Sequence, residues 1–153
     1  MKFIADCMLG KLAKWLRILG YDTLYYRAID DDTLMEMARR THRVLLTRDE
    51  EVFQKFEGLN KMFIRSDYLS DQLRQVIEER KLIVGDRLFS RCILCNTELI
   101  QVNKAEVRDL VPEYVFNTQR YFSFCQQCKK IYWKGTHRTK MIEKLKILEG
   151  SIP

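Results

Sequence analysis

The chain has 153 residues, 46% hydrophobic and 31% charged, enough for one ordinary domain or a compact domain with a small appendage, and too apolar for a disordered tail. Its net charge of +6 favours a polyanionic partner or an anionic surface. No run of roughly 18 apolar residues is present and the opening residues lack the order of a secretory leader, so the expectation is a soluble, cytoplasmic protein that engages no membrane.

Over about the first 85 residues, strand and helix patterns alternate. Phe3–Ala5 is a short apolar strand, and Met8–Leu19 a helix with Leu9, Leu12, Leu16 and Leu19 at helical spacing, stopped by Gly20. Thr23–Ile29 is β-branched and aromatic, a second strand, and a helix capped by Asp31 or Asp32 follows to Arg40. Arg43–Thr47 is a third strand, Glu50–Phe56 a helix, Lys61–Arg65 a fourth strand and Leu69–Arg80 another helix. Strands separated by helices of this length predict a parallel sheet covered on both faces. Near Val84–Gly85 the pattern changes to paired cysteines and short apolar stretches, with a weak helical pattern at Lys104–Leu110 and a terminal helix over Arg138–Leu148. The reading is an α/β unit over 1–85 and a second unit over 86–153.

An acid follows each strand: Asp6, the triple Asp30–Asp32, Asp49 and Asp67. In a parallel sheet with helical crossovers the strand C-termini share one edge, where open α/β sheets hold their sites. Topology would therefore gather at least three carboxylates in a small volume, which cannot all ionise cheaply without a cation. Mg²⁺ or Mn²⁺, which take carboxylate, water and phosphate oxygens, would relieve that conflict, polarise a phosphoryl group and activate water. An acidic cluster in a basic chain is the arrangement expected of a metal-dependent nuclease. Each Asp also precedes a helix, and singly reads as well as an N-cap. Within the triple, the helix start favours Asp31.

Lys11, Lys14 and Arg17 follow Asp6 at three-residue spacing and read as one exposed stripe able to meet phosphates, or as a solvated helix face. Arg48, between Thr47 and Asp49, would hold a phosphate in a bidentate fork or pair with an Asp. His42 reads as a surface turn residue, and Cys7 as a small buried apolar one.

The other four cysteines form two C-x-x-C knuckles, Cys92/Cys95 and Cys125/Cys128, with 29 residues between them. Four thiolates in two tight turns suit a closed, structural Zn²⁺ site. The interval exceeds the commonest one, and a ribbon with an inserted helix would absorb the excess. Aromatic residues interleaved with cations around the knuckles suit single-stranded RNA, or serve as the core of a small unit; Tyr121, Tyr132 and Trp133 are the candidates for stacking. His137 reads as a substitute ligand or as nothing.

The segments ADCMLGKLAKWLRILGYDTLYY, DDDTLMEMA, RVLLTRD, FSRCILCN and CQQCKKIYWKGTH cover nearly the whole chain in order. In them the sequence resembles the Mut-seven C-terminal RNAse domain family, a PIN-like three-layer α/β nuclease fold joined to a zinc ribbon. The resemblance implies a metal-dependent ribonuclease whose acids match Asp6, one of Asp30–Asp32, and Asp49, with Asp67 a looser fourth. It also implies that Cys92, Cys95, Cys125 and Cys128 bind zinc.

The expectation is then an endonuclease acting on single-stranded or structured RNA, with Mg²⁺ or Mn²⁺ on Asp6, Asp31, Asp49 and Asp67. Lys11, Lys14, Arg17, Arg48 and Trp133 would contact RNA. The rival is a non-catalytic RNA-binding or ribosome-assembly module in which the aspartates are caps. A phospho-receiver domain wants an acidic pair after strand one, where this chain has a single Asp.

Overall fold

The computed structural model describes residues 1–55 and 57–149, with side chains to residue 146. The chain divides into two compact units, Met1–Asn96 and Thr97–Pro153. Among the described residues no helix is long and apolar enough to cross a membrane.

In the first unit β1 (Lys2–Ala5), β2 (Asp22–Tyr25), β3 (Val44–Thr47) and β4 (Lys61–Phe63) form a parallel sheet in the order β2-β1-β3-β4. Between and after them run α1 (Gly10–Ile18), α2 (Asp31–Arg40), α3 (Glu50–Lys55) and α4 (Leu69–Arg80). The central strands are apolar on both faces, as a doubly covered parallel sheet requires: β3 is buried at every position, and β1 from Phe3 to Ala5. Ile4 and Leu45 pack with Leu34, Met35 and Ala38 of α2 and Val52 of α3. Helix α1 packs on β2 and α4.

Strand order positions the site. The connection from β1 leads outward to β2, and that from β3 leads outward the other way to β4. Neighbouring strands whose connections part in opposite directions leave a crevice between their C-terminal ends, the usual ligand position in open α/β sheets.

Several elements differ from the sequence expectation for reasons visible in the pairing. β2 stops at Tyr25 rather than Ile29 because its partner β1 ends at the opposite residue, Ala5. β4 ends at Phe63 opposite Thr47, the last residue of β3. The expected Met8–Leu19 helix is a 3-10 turn, Cys7–Leu9, followed by α1. Gly20 ends that segment at φ +89°, where a Cβ would meet the Arg87 carbonyl oxygen at 2.3 Å. The cap of α2 is Asp30, not Asp31 or Asp32: its carboxylate accepts from the Thr33 amide at 2.9 Å and the Thr33 hydroxyl at 2.7 Å. Phe56, the expected end of α3, lies outside the described residues. Cys7 is exposed, because it occupies the solvent side of the 3-10 turn rather than the core.

The second unit holds an antiparallel sheet, β5 (Ile100–Val102), β6 (Phe122–Phe124) and β7 (Ile131–Trp133), in that order. Phe122, opposite both Val102 and Trp133, is buried. Between β5 and β6 lie a 3-10 turn at Lys104–Val107, closed by an Asn103/Glu106 capping box, and α5 (Glu113–Thr118) behind Pro112. The helix expected over Lys104–Leu110 is thus only that turn, and the helix inserted between the knuckles is α5, at residues the sequence reading did not single out. The last element is α6 (Thr136–Glu149), which buries Met141 and Leu145.

Candidate functional site

At the crevice between β1 and β3 the first residue past β1 is Asp6, 5% exposed. Its amide donates to Leu46 at 3.0 Å, extending the β1–β3 ladder by one residue and fixing the side chain at the sheet edge. One carboxylate oxygen accepts from the Met8 amide at 2.9 Å, which makes Asp6 the cap of the 3-10 turn. The other accepts from the Thr47 hydroxyl and from the Arg48 amide at 3.2 Å. An ionised carboxylate offers about four acceptor positions, so Asp6, with three occupied, keeps an open one.

Thr47 is fully buried and joins the two acids: its hydroxyl donates to Asp6 and accepts from the Asp49 amide at 3.0 Å. Asp49 Oδ1 accepts from Glu51 and Val52 amides at 2.8 and 3.1 Å, capping α3. The turn carrying Asp6 is pinned from β2, where the Tyr25 hydroxyl donates to the Cys7 carbonyl at 3.0 Å. That ring lies so close over Gly10 that an added Cβ would meet it at 2.8 Å. The sequence reading missed Thr47, Tyr25 and Gly10. The T-x-D spacing was the usable signal, since residues two apart in an extended segment share a side.

Of the triple, Asp30 is occupied by Thr33 and Asp32 pairs with Lys55 at 3.2 Å, both exposed. The Thr33 side-chain and backbone hydrogen bonds hold the Asp30 carboxyl below the usual range. Asp31 is exposed in the first turn of α2, and its carboxylate has no hydrogen-bond or ion-pair partner among the described residues. Asp67, exposed past β4, pairs with the Arg48 guanidinium. Among the described residues no three carboxylates have oxygens all within 4.8 Å of one another. What the edge offers is an open set of hard oxygen donors, suited to Mg²⁺ or Mn²⁺, which keep several waters. Asp6 and Asp49 form its linked pair.

The expected basic stripe is broken. Lys11 and Lys14 are exposed, but Arg17 is 6% exposed and faces β2. Its Nε donates to the Thr23 carbonyl at 2.9 Å, and one Nη to the Ile93 and Leu94 carbonyls at 3.1 and 2.8 Å. Burial pushes the guanidinium below its usual pKa, partly countered by the negative charge available on Cys92, Cys95 and Asp22. Arg17 is therefore a clamp on the first cysteine knuckle and is withdrawn from the surface that RNA could reach.

Asn96, also buried, completes that clamp. Its side-chain oxygen accepts from the Thr23 amide at 2.9 Å and its side-chain nitrogen donates to Asp22 at 2.6 Å. Asp22 in turn holds Arg43 in a fork of 2.7 and 3.0 Å. Burial would raise the Asp22 pKa, but hydrogen bonds from Arg43 and Asn96 and the Arg43 charge outweigh it and hold the carboxyl low. β2 is an edge strand of the sheet, and side chains of Arg17 and Asn96 occupy polar groups that an edge would expose.

The thiols of Cys92, Cys95, Cys125 and Cys128 all lie within 4.8 Å of one another. Tetrahedral zinc with bonds of about 2.3 Å needs sulfurs about 3.8 Å apart, so the set fits a zinc site. The two knuckles repeat one turn. Asn96 N donates to Cys92 O at 2.9 Å, and Lys129 N to Cys125 O at 2.8 Å. Both donors are left-handed, at φ 72° and 58°. The Cys128 amide also donates to Cys125 Sγ at 3.3 Å. His137 is exposed on α6 and takes no part in the set.

In the second unit Trp133 is half-buried in β7, paired with Phe122. Tyr114 and Tyr121 are the open aromatics, 77% and 70% exposed, and Lys134 Nζ stands 5.8 Å from the Tyr121 ring centre.

Comparison with curated proteins and with solved structures finds no match. A family model described as the Mut7-C RNAse domain matches residues 1–145. With nearly its whole length so matched, the chain belongs to the Mut7-C RNAse domain family, whose name carries a nuclease-like function directed at RNA.

Proposed function

We propose that the chain is a metal-dependent endoribonuclease whose reaction takes place at the crevice between β1 and β3. The observation that carries this reading is the buried Asp6 carboxylate joined to Asp49 through one hydroxyl, at the position where an open α/β sheet places ligands. Asp6 and Asp49 would hold Mg²⁺ or Mn²⁺, with Asp31 completing the set from the start of α2. Such an ion supplies charge neutralisation for the phosphate and eases ionisation of the attacking water.

The chain's own residues do the rest. Thr47 and the Arg48 amide orient the Asp6 carboxylate by donating to one of its oxygens. The α3 amides hold one oxygen of Asp49, which leaves the other for the site. Lys11 and Lys14, exposed on the helix that follows Asp6, add positive charge that favours a phosphate chain. Tyr121 with Lys134 offers an exposed ring for a base to stack on, a feature that favours single strands.

The test is cleavage of labelled single-stranded RNA in Mn²⁺ by the parent protein and by Asp49→Asn. Loss of cleavage in the variant is the expected result, and equal cleavage by both removes the carboxylate mechanism. A second reading, a binding module without catalysis, draws on the capping bonds of Asp6, Asp30 and Asp49. It expects Mn²⁺ to leave RNA intact and the chemical environment of the sheet edge unchanged.

A further inference from the structure

Arg48 is rooted in the crevice: its amide donates to Asp6 at 3.2 Å, and its neighbours in sequence are Thr47 and Asp49. Its guanidinium is only partly used. One terminal nitrogen pairs with a single oxygen of Asp67, while Nε is buried and has no hydrogen-bond partner among the described residues. A buried donor left without an acceptor is unfavourable, and the Nε–Nη edge of a guanidinium matches two oxygens of a phosphate. Asp67 satisfies half of that edge.

Asp67 is also placed to leave. Its side chain is 79% exposed. It does not cap α4; the turn is ordered by its neighbours, through Ser66 to Asp71 at 3.0 Å, the Tyr68 amide to Ser66 at 3.0 Å, and Gln72 to the Ser66 carbonyl at 2.9 Å. Releasing the carboxylate would leave these bonds intact.

We propose that Arg48 is the phosphate receptor of the crevice and that Asp67 is an internal anion occupying it until RNA arrives. The proposal rests on the nuclease reading only for the identity of the incoming anion, and it gives Asp67 a role other than the fourth metal ligand expected from sequence. RNA must displace Asp67 to gain the full fork. An exposed pair is weak, so the displacement lowers RNA affinity by between about 1.5- and 5-fold.

The experiment is a double-mutant cycle on the full chain, read by fluorescence anisotropy of a short labelled single-stranded RNA with no Mg²⁺ or Mn²⁺ added, so that nothing is cut. Asp67→Asn should tighten binding by the same factor, about 1.5- to 5-fold. Arg48→Gln should weaken it, and adding Asp67→Asn to Arg48→Gln should then change nothing, because there is no receptor to release. Arg48→Lys, which keeps the charge and loses the fork, should bind more weakly than the parent. Melting curves confirm that each variant is folded. Tightening that persists in the Arg48→Gln background would be a bulk charge effect and overturns the proposal, as does Asp67→Asn binding no better than the parent. In parallel, the Mn²⁺ concentration for half-maximal cleavage should not move in Asp67→Asn; a higher requirement returns Asp67 to the metal and overturns it too. If no protein cleaves RNA but the binding cycle holds, the catalytic reading fails and the Arg48–Asp67 exchange stands.

Discussion

Among the described residues four thiols come within 4.8 Å of one another, while at the sheet edge Thr47 joins two carboxylates, Asp6 and Asp49, as a pair. Protonated thiols are neutral and can crowd without a metal; carboxylates at neutral pH repel unless something intervenes. The ligands also arise differently. Each knuckle presets two sulfurs within one turn, closed by an amide that returns to the carbonyl of its first cysteine. The acids come from three separate loops, and Asp6 and Asp49 are each positioned by backbone donors of the turn or helix they start. The positions of Asp6 and Asp49 are thus set by the fold itself, through backbone donors.

The most severe break in that contrast is at the closed set. Cys92→Ser or Cys125→Ser should lower zinc affinity by more than roughly 100-fold, since losing a ligand costs more than losing its supporting shell. Competition with a chromogenic chelator measures it. Unchanged zinc content in both variants would mean that the four sulfurs are neighbours without being ligands.

The open set should respond in rate instead of in metal content at rest. Asp6→Asn and Asp31→Asn should each lower Mn²⁺-dependent cleavage by roughly 100-fold or more. They should differ in a melting experiment. Among the described residues Asp31 has no partner to lose, whereas Asp6 holds three donors, so only Asp6→Asn should melt earlier. Equal melting shifts would deny that Asp31 is the free member of its triple.

Arg17 shows how far sequence could be followed. Its three-residue spacing from Lys14 and Lys11 suggested a common face, but a helix turns 100° per residue, so each three-residue step drifts by about 60° and two steps by about 120°. That drift carries Arg17 from the solvent side onto β2. The leucine positions of the same helix were legible because they follow the mixed three- and four-residue spacing that keeps to one face. Leu69–Arg80 and the C-x-x-C pairs were legible for a similar reason, being local patterns. The link through Thr47 was not, because it depends on β1 and β3 being neighbours although 38 residues lie between them in sequence. Asp30 was passed over as the cap of α2 because three consecutive aspartates give no local rule for choosing among them. Arg17→Met should therefore destabilise the first unit by roughly 2 kcal/mol, leaving the buried Thr23 carbonyl and the partly buried Ile93 and Leu94 carbonyls without their charged donor. Equilibrium urea unfolding measures this, and a change near zero would mean that the knuckle seats itself without the clamp.

A smaller effect separates the clamp from the acid edge by pH. The folded Asp22 carboxyl is held below its unfolded value, so the stability it contributes is complete above the unfolded pKa and is lost as pH falls through the folded one. Parent protein should melt progressively earlier as the medium is made more acid than the ordinary aspartate range, and Asp22→Asn should flatten that decline while lowering stability at neutral pH. A decline of the same slope in the variant would assign acid sensitivity to other carboxylates.

The smallest effect concerns the cap of α2. Asp30 accepts from the amide and hydroxyl of Thr33, and these bonds depress its pKa, so its contribution too is present at neutral pH and fades in acid. Full exposure makes the contribution slight, because water and salt compete for both partners. Asp30→Ala should therefore lower the melting temperature by less than Arg17→Met does, and only above the acid range. Cleavage should stay within about twofold of the parent, since on the proposed reading Asp30 only holds the helix start and Asp31 would be the member of the triple that meets the ion. Asp30 differs from the capping Asp49 in having both oxygens engaged, one by the Thr33 amide and the other by the Thr33 hydroxyl, whereas the α3 amides use a single oxygen of Asp49. If Asp30→Ala abolished cleavage while Asp31→Asn spared it, the ligand would be the capping residue, and the division of labour within the triple would be reversed.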